Sequence, residues 1–248
     1  DVLPPSAERS RLILILFFAA AGVAVGFALD RAVALLAREP FERPAEFEEA
    51  EDGEAESSGT TPKPLPRSLT TLSWMRTIAV VAMTAALFAA SAARYDGHGI
   101  APAVVAAYMA LLVGCAATDA ISFRVPNAFT YPAIVFALVV GMVAPGTDRV
   151  SVLAGGFGIG FAFLVLAILT RGGLGMGDVK MAAFSGFALG LMFALLALLV
   201  TAMAGGVIAV LLLLFRIRGR RDPIPYAPFI AIGAAWALLT QGTAFLSL

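Results

Sequence analysis

The 248-residue chain is 60% apolar and only 14% charged, and its mean hydropathy is +0.91. A water-soluble domain carries about half apolar and about a quarter charged residues, so this composition excludes an ordinary soluble fold and indicates a membrane protein. The 17 basic and 17 acidic residues cancel, which excludes a strongly basic nucleic-acid-binding surface. One cysteine and one histidine exclude a disulfide framework and a Cys/His zinc site, and we expect neither a metal nor another cofactor.

Apolar stretches that are long enough to cross a bilayer follow one another along the chain. A membrane helix needs about 20 residues. The sequence therefore predicts an all-α fold, a polytopic transmembrane helix bundle with six to eight, and most simply about eight, membrane helices. Gly186 and Gly190 interrupt a stretch that is too long for one pass, and we expect the chain to turn there. The predicted spans lie near residues 12–36, 77–94, 101–119, 128–145, 151–170, 180–191, 192–215 and 228–246.

Polarity divides the chain into three regions. Residues 1–37 are predicted to form an N-terminal transmembrane anchor, residues 38–76 an acidic polar cytoplasmic linker, and residues 77–248 a membrane-embedded domain. The linker holds nine acidic residues between Glu39 and Glu56, followed by a run rich in Ser, Thr and Pro that cannot bury a core. We therefore expect the linker to be solvated.

Basic residues predict how the bundle is oriented. If eight spans alternate in direction, these residues gather on one side, which the positive-inside rule assigns to the cytoplasm. We expect a multi-pass protein of the inner (cytoplasmic) membrane whose basic loops contact anionic membrane lipids. The residues concerned are Lys63, Arg67, Arg76, Arg124, Arg171, Lys180, Arg216, Arg218, Arg220 and Arg221.

Carboxylates are scarce in the membrane domain, and two of them lie at the ends of predicted spans. Asp119 closes the third apolar stretch, and Asp178 opens the sixth after a glycine-rich run. A charged residue near the centre of a membrane helix costs about 2.5–3.5 kcal/mol on insertion scales, so a retained one needs a reason. The carboxylates after Glu56 are Asp96, Asp119, Asp148, Asp178 and Asp222.

The residues alone leave several interpretations of this pair open. Two carboxylates that share a water can divide its activation, one accepting a proton while the other, protonated, donates to a carbonyl oxygen. That is aspartic-protease chemistry. A secondary transporter would instead use Asp119 and Asp178 to relay protons. A purely structural interpretation has both residues capping helix ends, with Asp119 also able to pair with Arg124 while Lys180 snorkels.

Three sequence blocks resemble the type IV prepilin peptidases, a family of polytopic membrane aspartic proteases of the GxGD type. The blocks are Asp119-Ala-Ile-Ser-Phe-Arg124-Val-Pro126-Asn127-Ala-Phe-Thr130-Tyr-Pro132, Gly175-Met-Gly177-Asp178-Val-Lys180 and Pro223-Ile-Pro-Tyr226-Ala-Pro-Phe229. The resemblance implies that Asp119 and Asp178 are the catalytic pair. It also implies that loop support and substrate binding come from Gly175, Gly177, Lys180, Arg124, Pro126 and Asn127.

The resemblance further implies a substrate and partners. Such enzymes cleave the leader from type IV prepilins or prepilin-like secretion proteins at the cytoplasmic membrane face, beside the substrate's hydrophobic helix. Many also methylate the new N-terminus with S-adenosylmethionine, through a segment that carries two Cys-x-x-Cys pairs. In this chain that place holds the cysteine-free linker 38–76. We therefore predict a peptidase without the N-methyltransferase activity.

Overall fold

The computed structural model describes residues 5–36, 69–170, 174–215 and 225–247. Most of the predicted linker, the loop around Arg171, the cluster from Arg216 to Arg221 and Asp222 lie outside these ranges. Two short strands, β1 (Gly242–Thr243) and β2 (Leu246–Ser247), pair antiparallel. The helices are α1 (Pro5–Leu36), α2 (Leu69–Arg94), α3 (Ala101–Ser122), α4 (Asn127–Val143), α5 (Arg149–Leu153), a π-helical segment (Ala154–Gly158), α6 (Ile159–Leu169), α7 (Met176–Leu214) and α8 (Ala227–Thr240).

Five of the described helical stretches are long and apolar enough to cross a membrane. They are α1, α2, α3, the continuous rod of α5, the π-helical segment and α6, and the long helix α7. The shorter apolar helices α4 and α8 have 17 and 14 residues. The chain is thus an all-α polytopic membrane bundle, as the composition and spacing predict.

Helix α7 breaks at Gly190, where the sequence predicts a turn. Gly190 has φ 73° and ψ 170° inside the helix, a conformation that residues with a side chain rarely adopt. Ala182 and Ser185 before the break line the same narrow space as Ala197 and Thr201 after it. The two halves of α7 therefore pack side by side as a helical hairpin. With these halves counted separately, the described helices supply eight apolar passes.

The passes alternate in direction between two ends of the bundle. At the end that we call the far end, Arg11 near the start of α1 donates to the carbonyl of Ala93 near the end of α2 (3.1 Å). At this far end, Leu191 N–H, just after the break in α7, donates to Ser151 Oγ at the start of α5 (3.0 Å). The opposite end, which holds Asp119 and is called the aspartate end, contains the close of α3 and the start of α8.

Small residues let these helices approach closely. A Cβ at Gly155 would stand 2.6 Å from the carbonyl oxygen of Gly186, and one at Gly160 would stand 2.9 Å from Ala183 Cβ. Both contacts join the rod of α5 and α6 to the first half of α7, where small residues allow the helices to pack closely. Aromatic packing completes the core, since the Tyr108 ring of α3 meets Phe184 of α7 edge to face at 5.6 Å.

Two helices differ in length from the predicted spans. Helix α2 begins at Leu69, eight residues before the predicted span of residues 77–94. The helix extends beyond the most apolar segment, as a membrane helix does where interfacial residues such as Trp74 continue it. Helix α8 ends at Thr240, not at 246, because the chain turns at Gly242 (φ 117°) and Ala244 N–H donates to the Ala188 carbonyl (3.0 Å).

Candidate active site

Asp119 lies near the end of α3 at the aspartate end, and its side chain is buried. Helix α3 stops because Phe123 adopts a left-handed conformation (φ 54°), from which its N–H donates to the Asp119 carbonyl (2.8 Å). Arg124 follows on the surface. Pro126 then precedes α4 with φ −69°, a value that the proline ring fixes. The loop from Arg124 to Pro126 thereby returns the chain to the membrane next to Asp119.

Asp178 lies in the first turn of α7 and is also buried. Its Oδ2 accepts the N–H of Gly175 (3.2 Å), so the carboxylate ties down the glycine-rich turn from which its own helix starts. A Cβ at Gly177 would stand 2.7 Å from Val125 Cβ. Only glycine therefore allows the start of α7 to lie directly against the loop that follows Asp119, which is how the second sequence block meets the first.

The start of α8 provides a third part of the site. The backbone N–H of Ala227 donates to Asp119 Oδ2 (3.0 Å), so the carboxylate occupies the N-terminal end of a helix, where the helix dipole favours a negative charge. Pro225 and Pro228 on either side of Ala227 have no N–H of their own. The sequence prediction named no site residue here. The proline-rich third block was the only feature of the sequence that pointed to this region. Because every residue except proline has a backbone N–H, the residue type does not show which one binds Asp119.

The two aspartates converge at the aspartate end of the bundle. The charge of Asp119 acts directly on Asp178, although 59 positions separate them in the sequence. Tyr226, next to Ala227, also lies within reach of Asp178: burial first, and then the charge of Asp178, raises the pKa of the Tyr226 phenol. Among the described residues, no ion pair neutralises either aspartate.

Lys180 and Asn127 connect α7 to α4. Lys180 Nζ donates to Asn127 Oδ1 (2.6 Å) and sits 4.6 Å from the centroid of the Tyr131 ring. The lysine is therefore engaged with α4 and forms no ion pair with Asp178 in the described part of the chain. The structure thus brings together Asp119, Asp178, Gly175 and Gly177, while Lys180, Asn127, Arg124 and Pro126 flank them.

The structural interpretation of the aspartates applies only in part. Asp178 does bind a backbone N–H at the start of its own helix. The Asp119 carboxylate instead receives its hydrogen bond from Ala227, which lies on another helix. A residue that only capped α3 would not need a partner 108 positions away.

A further carboxylate of the described helices belongs to Asp30 of α1. It is buried, and its carboxylate binds Arg76 Nε (2.7 Å) and Thr77 Oγ1 (2.8 Å) of α2. This pair joins α1 to α2 and stands apart from the two aspartates of α3 and α7. Within the described ranges, no group of three His, Cys, Asp or Glu side chains could hold a metal ion.

Comparison with known proteins finds similarity over the part of the chain that holds this site. Residues 106–210, which include both aspartates, match the Type IV leader peptidase family. The chain is 34% identical over 159 residues to the prepilin leader peptidase/N-methyltransferase of Bacillus subtilis (strain 168), a match that covers 63% of each protein. It is 29% identical over 137 residues to the protein of the same name from Aeromonas hydrophila, covering 53% of this chain and 47% of that one. The chain thus spans less than two thirds of the length of these relatives. No solved structure matches it.

Proposed function

We propose that this chain, which matches the Type IV leader peptidase family over residues 106–210, is a membrane aspartic endopeptidase. Its reaction would be hydrolysis of the bond between the leader and the mature part of a type IV prepilin or a prepilin-like secretion protein. One observation carries this proposal: Asp119 and Asp178, from the ends of two different helices, are both buried and lie close enough for the charge of Asp119 to act on Asp178.

The chemistry follows from sharing one water between the two carboxyl groups. One carboxylate takes a proton from the water, and the water oxygen bonds to the scissile carbonyl carbon. The other carboxyl group gives its proton to the carbonyl oxygen, which forms a neutral tetrahedral diol. A proton then moves to the amide nitrogen as the C–N bond breaks, which releases an amine and a carboxylic acid. Because the groups are coupled, the pair titrates as a unit.

The surrounding residues hold the two carboxyl groups at a fixed separation. Gly177 allows α7 to touch Val125, and the N–H of Gly175 orients the Asp178 carboxylate. Lys180 and Asn127 join α7 to α4 on the outer side. Gly175 is exposed, so an extended peptide can lie along its backbone next to Asp178. In this proposal these residues support the catalytic loops, and the substrate binds against the glycine-rich turn.

The aspartate end would face the cytoplasm of a cell whose inner membrane holds the protein. The basic residues of the described ranges divide between the two ends: Arg31, Arg76, Arg124 and Lys180 lie at the aspartate end, and Arg9, Arg11, Arg94 and Arg149 lie at the far end. The orientation is proposed from the full sequence, in which Lys63, Arg67, Arg171 and the four arginines between Arg216 and Arg221 fall in connections between helices that end or start at the aspartate end. The hydrophobic helix of a prepilin would stand in the lipid beside the bundle. Its leader junction would then reach the aspartates from the membrane surface.

The position of the aspartates favours hydrolysis over proton-coupled transport. A secondary transporter places its site near the middle of the membrane, between repeated halves. Asp119 is three residues from the end of α3, and Asp178 is the third residue of α7. Both therefore lie near helix ends, where a peptide that enters from outside the membrane can reach them.

We further propose that the chain cleaves prepilins without methylating them. Its one cysteine, Cys115, is buried in α3, and residues 38–76 contain none. To test this, the purified protein would be incubated with a prepilin and S-adenosylmethionine that carries a labelled methyl group. Cleaved product without label is the expected result, and label on the product would contradict this part of the proposal.

The peptidase activity is tested by replacing each aspartate in cells that co-express a prepilin. Asp119→Asn and Asp178→Asn should each lower the cleavage rate by about a thousandfold or more. Asp148→Asn is the matched control, because Asp148 caps α5 at the far end and asparagine caps helices equally well. It should cleave at the rate of the unaltered protein. Normal cleavage by either of the first two variants would refute the catalytic assignment.

A further inference from the structure

Tyr226 lies beside the two aspartates, and the reaction as outlined above gives it no role. It immediately precedes Ala227, whose N–H binds Asp119, and it lies within reach of the charge on Asp178. The Tyr226 side chain is half-buried. Its hydroxyl makes no hydrogen bond to residues 5–36, 69–170, 174–215 or 225–247. The site thus contains a polar group with an unused donor.

Neighbours on two helices hold the Tyr226 ring in place. It packs edge to face against Phe229 of α8, with the ring centroids 6.1 Å apart. Its Cε2 lies 3.6 Å from the point where a side chain at Gly205 would begin. Gly205 belongs to the second half of α7, so the ring sits where α7 and α8 meet. A ring fixed in this way presents its hydroxyl in a restricted set of positions, as a group that stabilises a transition state must.

The Tyr226 phenol acts as a donor here. Its burial and the nearby Asp178 charge hold its pKa above the ordinary value of 10.0, so the phenol is neutral wherever the aspartates work. A neutral phenol can donate its O–H to an oxygen that becomes negative. It cannot replace either carboxyl group as the acceptor of a proton from water.

We propose that the Tyr226 hydroxyl donates a hydrogen bond to the scissile carbonyl oxygen while water adds to the carbonyl carbon. This inference rests on the proposed peptidase function. As the new C–O bond forms, the electron pair of the C=O double bond moves onto the carbonyl oxygen. The acidic carboxyl group then supplies the proton that neutralises this oxygen, and Tyr226 keeps its own proton throughout. The hydrogen bond strengthens as charge develops, so it stabilises the transition state more than the bound substrate.

Tyr226→Phe tests this inference because it removes the hydroxyl and keeps the ring. We expect kcat for prepilin cleavage to fall about 10- to 100-fold, less than for a fully buried oxyanion-hole donor, with KM and the melting temperature unchanged. Tyr108→Phe is the matched control, since its ring packs in the core against Phe136 and Phe184, and it should keep the original kcat. An unchanged kcat in Tyr226→Phe would overturn the inference. So would a raised KM with unchanged kcat, which indicates uniform substrate binding.

A second measurement uses a prepilin peptide in which a hydroxyethylene unit, a mimic of the tetrahedral diol, replaces the scissile bond. Tyr226→Phe should weaken inhibition by this peptide by about the same factor as it lowers kcat. Equal inhibition of the two proteins would contradict the inference. The failure of the two proposals can be told apart. Cleavage that survives Asp119→Asn refutes the peptidase assignment. Cleavage that requires both aspartates but is the same in Tyr226→Phe refutes only the role of Tyr226.

Discussion

The α1–α2 pair and the cluster of α3, α7 and α8 both bury carboxylates, but they surround them differently. Asp30 of α1 has a cation, Arg76, and a hydroxyl, Thr77, on its two oxygens. Asp119 and Asp178 each accept one backbone N–H, and the charge of Asp119 acts on Asp178. The first arrangement neutralises a carboxylate with a cation, whereas the second gives neither carboxylate a cation among the described residues.

This difference separates residues that we expect to stabilise the bundle from those that we propose to carry the chemistry. A charge that is paired inside a membrane joins two helices and is costly to expose. Two like charges that are held together cost stability, which proteins commonly accept at active sites. We therefore expect changes around Asp30 to alter the free energy of unfolding, and changes around Asp119 and Asp178 to alter turnover.

The largest effect after loss of an aspartate is expected at Gly177. In Gly177→Ala the new methyl group would stand 2.7 Å from Val125 Cβ, so α7 must shift away from the loop after Asp119. A displacement of about 1 Å at a catalytic pair can cost about a hundredfold in rate, and we expect a loss of that size in kcat. Cleavage assays on detergent-purified protein would measure it.

Gly175→Ala is the control for this variant. Its new Cβ would meet Asp178 Oδ2 at 3.4 Å, which is ordinary contact, so kcat should fall far less than in Gly177→Ala. Equal losses in the two variants would show that the close approach to Val125 does not set the geometry of the aspartates.

The next effect is one of stability, on the α1–α2 side. Arg76→Ala leaves Asp30 buried without its cation, and because Arg76 itself is partly exposed we expect a loss of about 1–3 kcal/mol in the free energy of unfolding. Thermal unfolding in detergent would measure this loss. The kcat of the protein that remains folded at low temperature should be unchanged.

A double replacement sharpens this prediction. Asp30→Leu combined with Arg76→Met removes both charges, and apolar residues of similar size should recover most of the lost stability. If the double variant is no more stable than Arg76→Ala alone, the ion pair is not what joins the two helices.

The reverse pattern is expected for Asp178, the aspartate of α7 that we propose to be catalytic. Asp178→Asn removes one of two like charges, so the free energy of unfolding should stay the same or rise by about 0.5–1 kcal/mol, although cleavage is lost. The measurement is thermal unfolding of Asp178→Asn and of Asp30→Asn under the same conditions. Of the two variants, only Asp30→Asn should be destabilised. A large loss of stability in Asp178→Asn would mean that Asp178 serves the fold more than the reaction.

The smallest effect is expected for the link between α7 and α4. Lys180→Gln and Asn127→Ala should each lower kcat by about two- to fivefold, which corresponds to a partly exposed hydrogen bond of about 0.5–1 kcal/mol. In the double variant the loss should equal that of either single variant, because both remove the same bond. Fully additive losses would show that the two side chains act separately.

Much of this molecule could be predicted from residue pattern, and the successes have clear physical causes. The length of an apolar stretch determines whether it can cross a bilayer, so the membrane helices could be predicted from the sequence. The turn at Gly190 could be found because a continuous apolar stretch exceeded one membrane thickness and contained a residue that tolerates positive φ. Asp119 and Asp178 were identifiable because a carboxylate is rare in such a sequence.

The unpredicted features depend on which helices become neighbours. Asp30 gives no sign in the sequence that its partner is Arg76, which lies 46 positions away. The bond from Ala227 to Asp119 involves only backbone on the donor side, so residue type cannot reveal it. In the sequence Tyr226 is only one member of a proline-rich block. Its position near the aspartates depends on the way α8 begins beside Asp119.

The shortness of two helices has a consequence for the surrounding lipid. At about 1.5 Å per residue, the 17 residues of α4 and the 14 of α8 extend to roughly 26 Å and 21 Å, against a hydrocarbon layer of about 30 Å. A bilayer accommodates such short segments by becoming thinner around them. Both helices start beside the two aspartates, so a bilayer that thins on this side would bring the headgroup region toward Asp119 and Asp178 and would let water reach them without a channel through the protein.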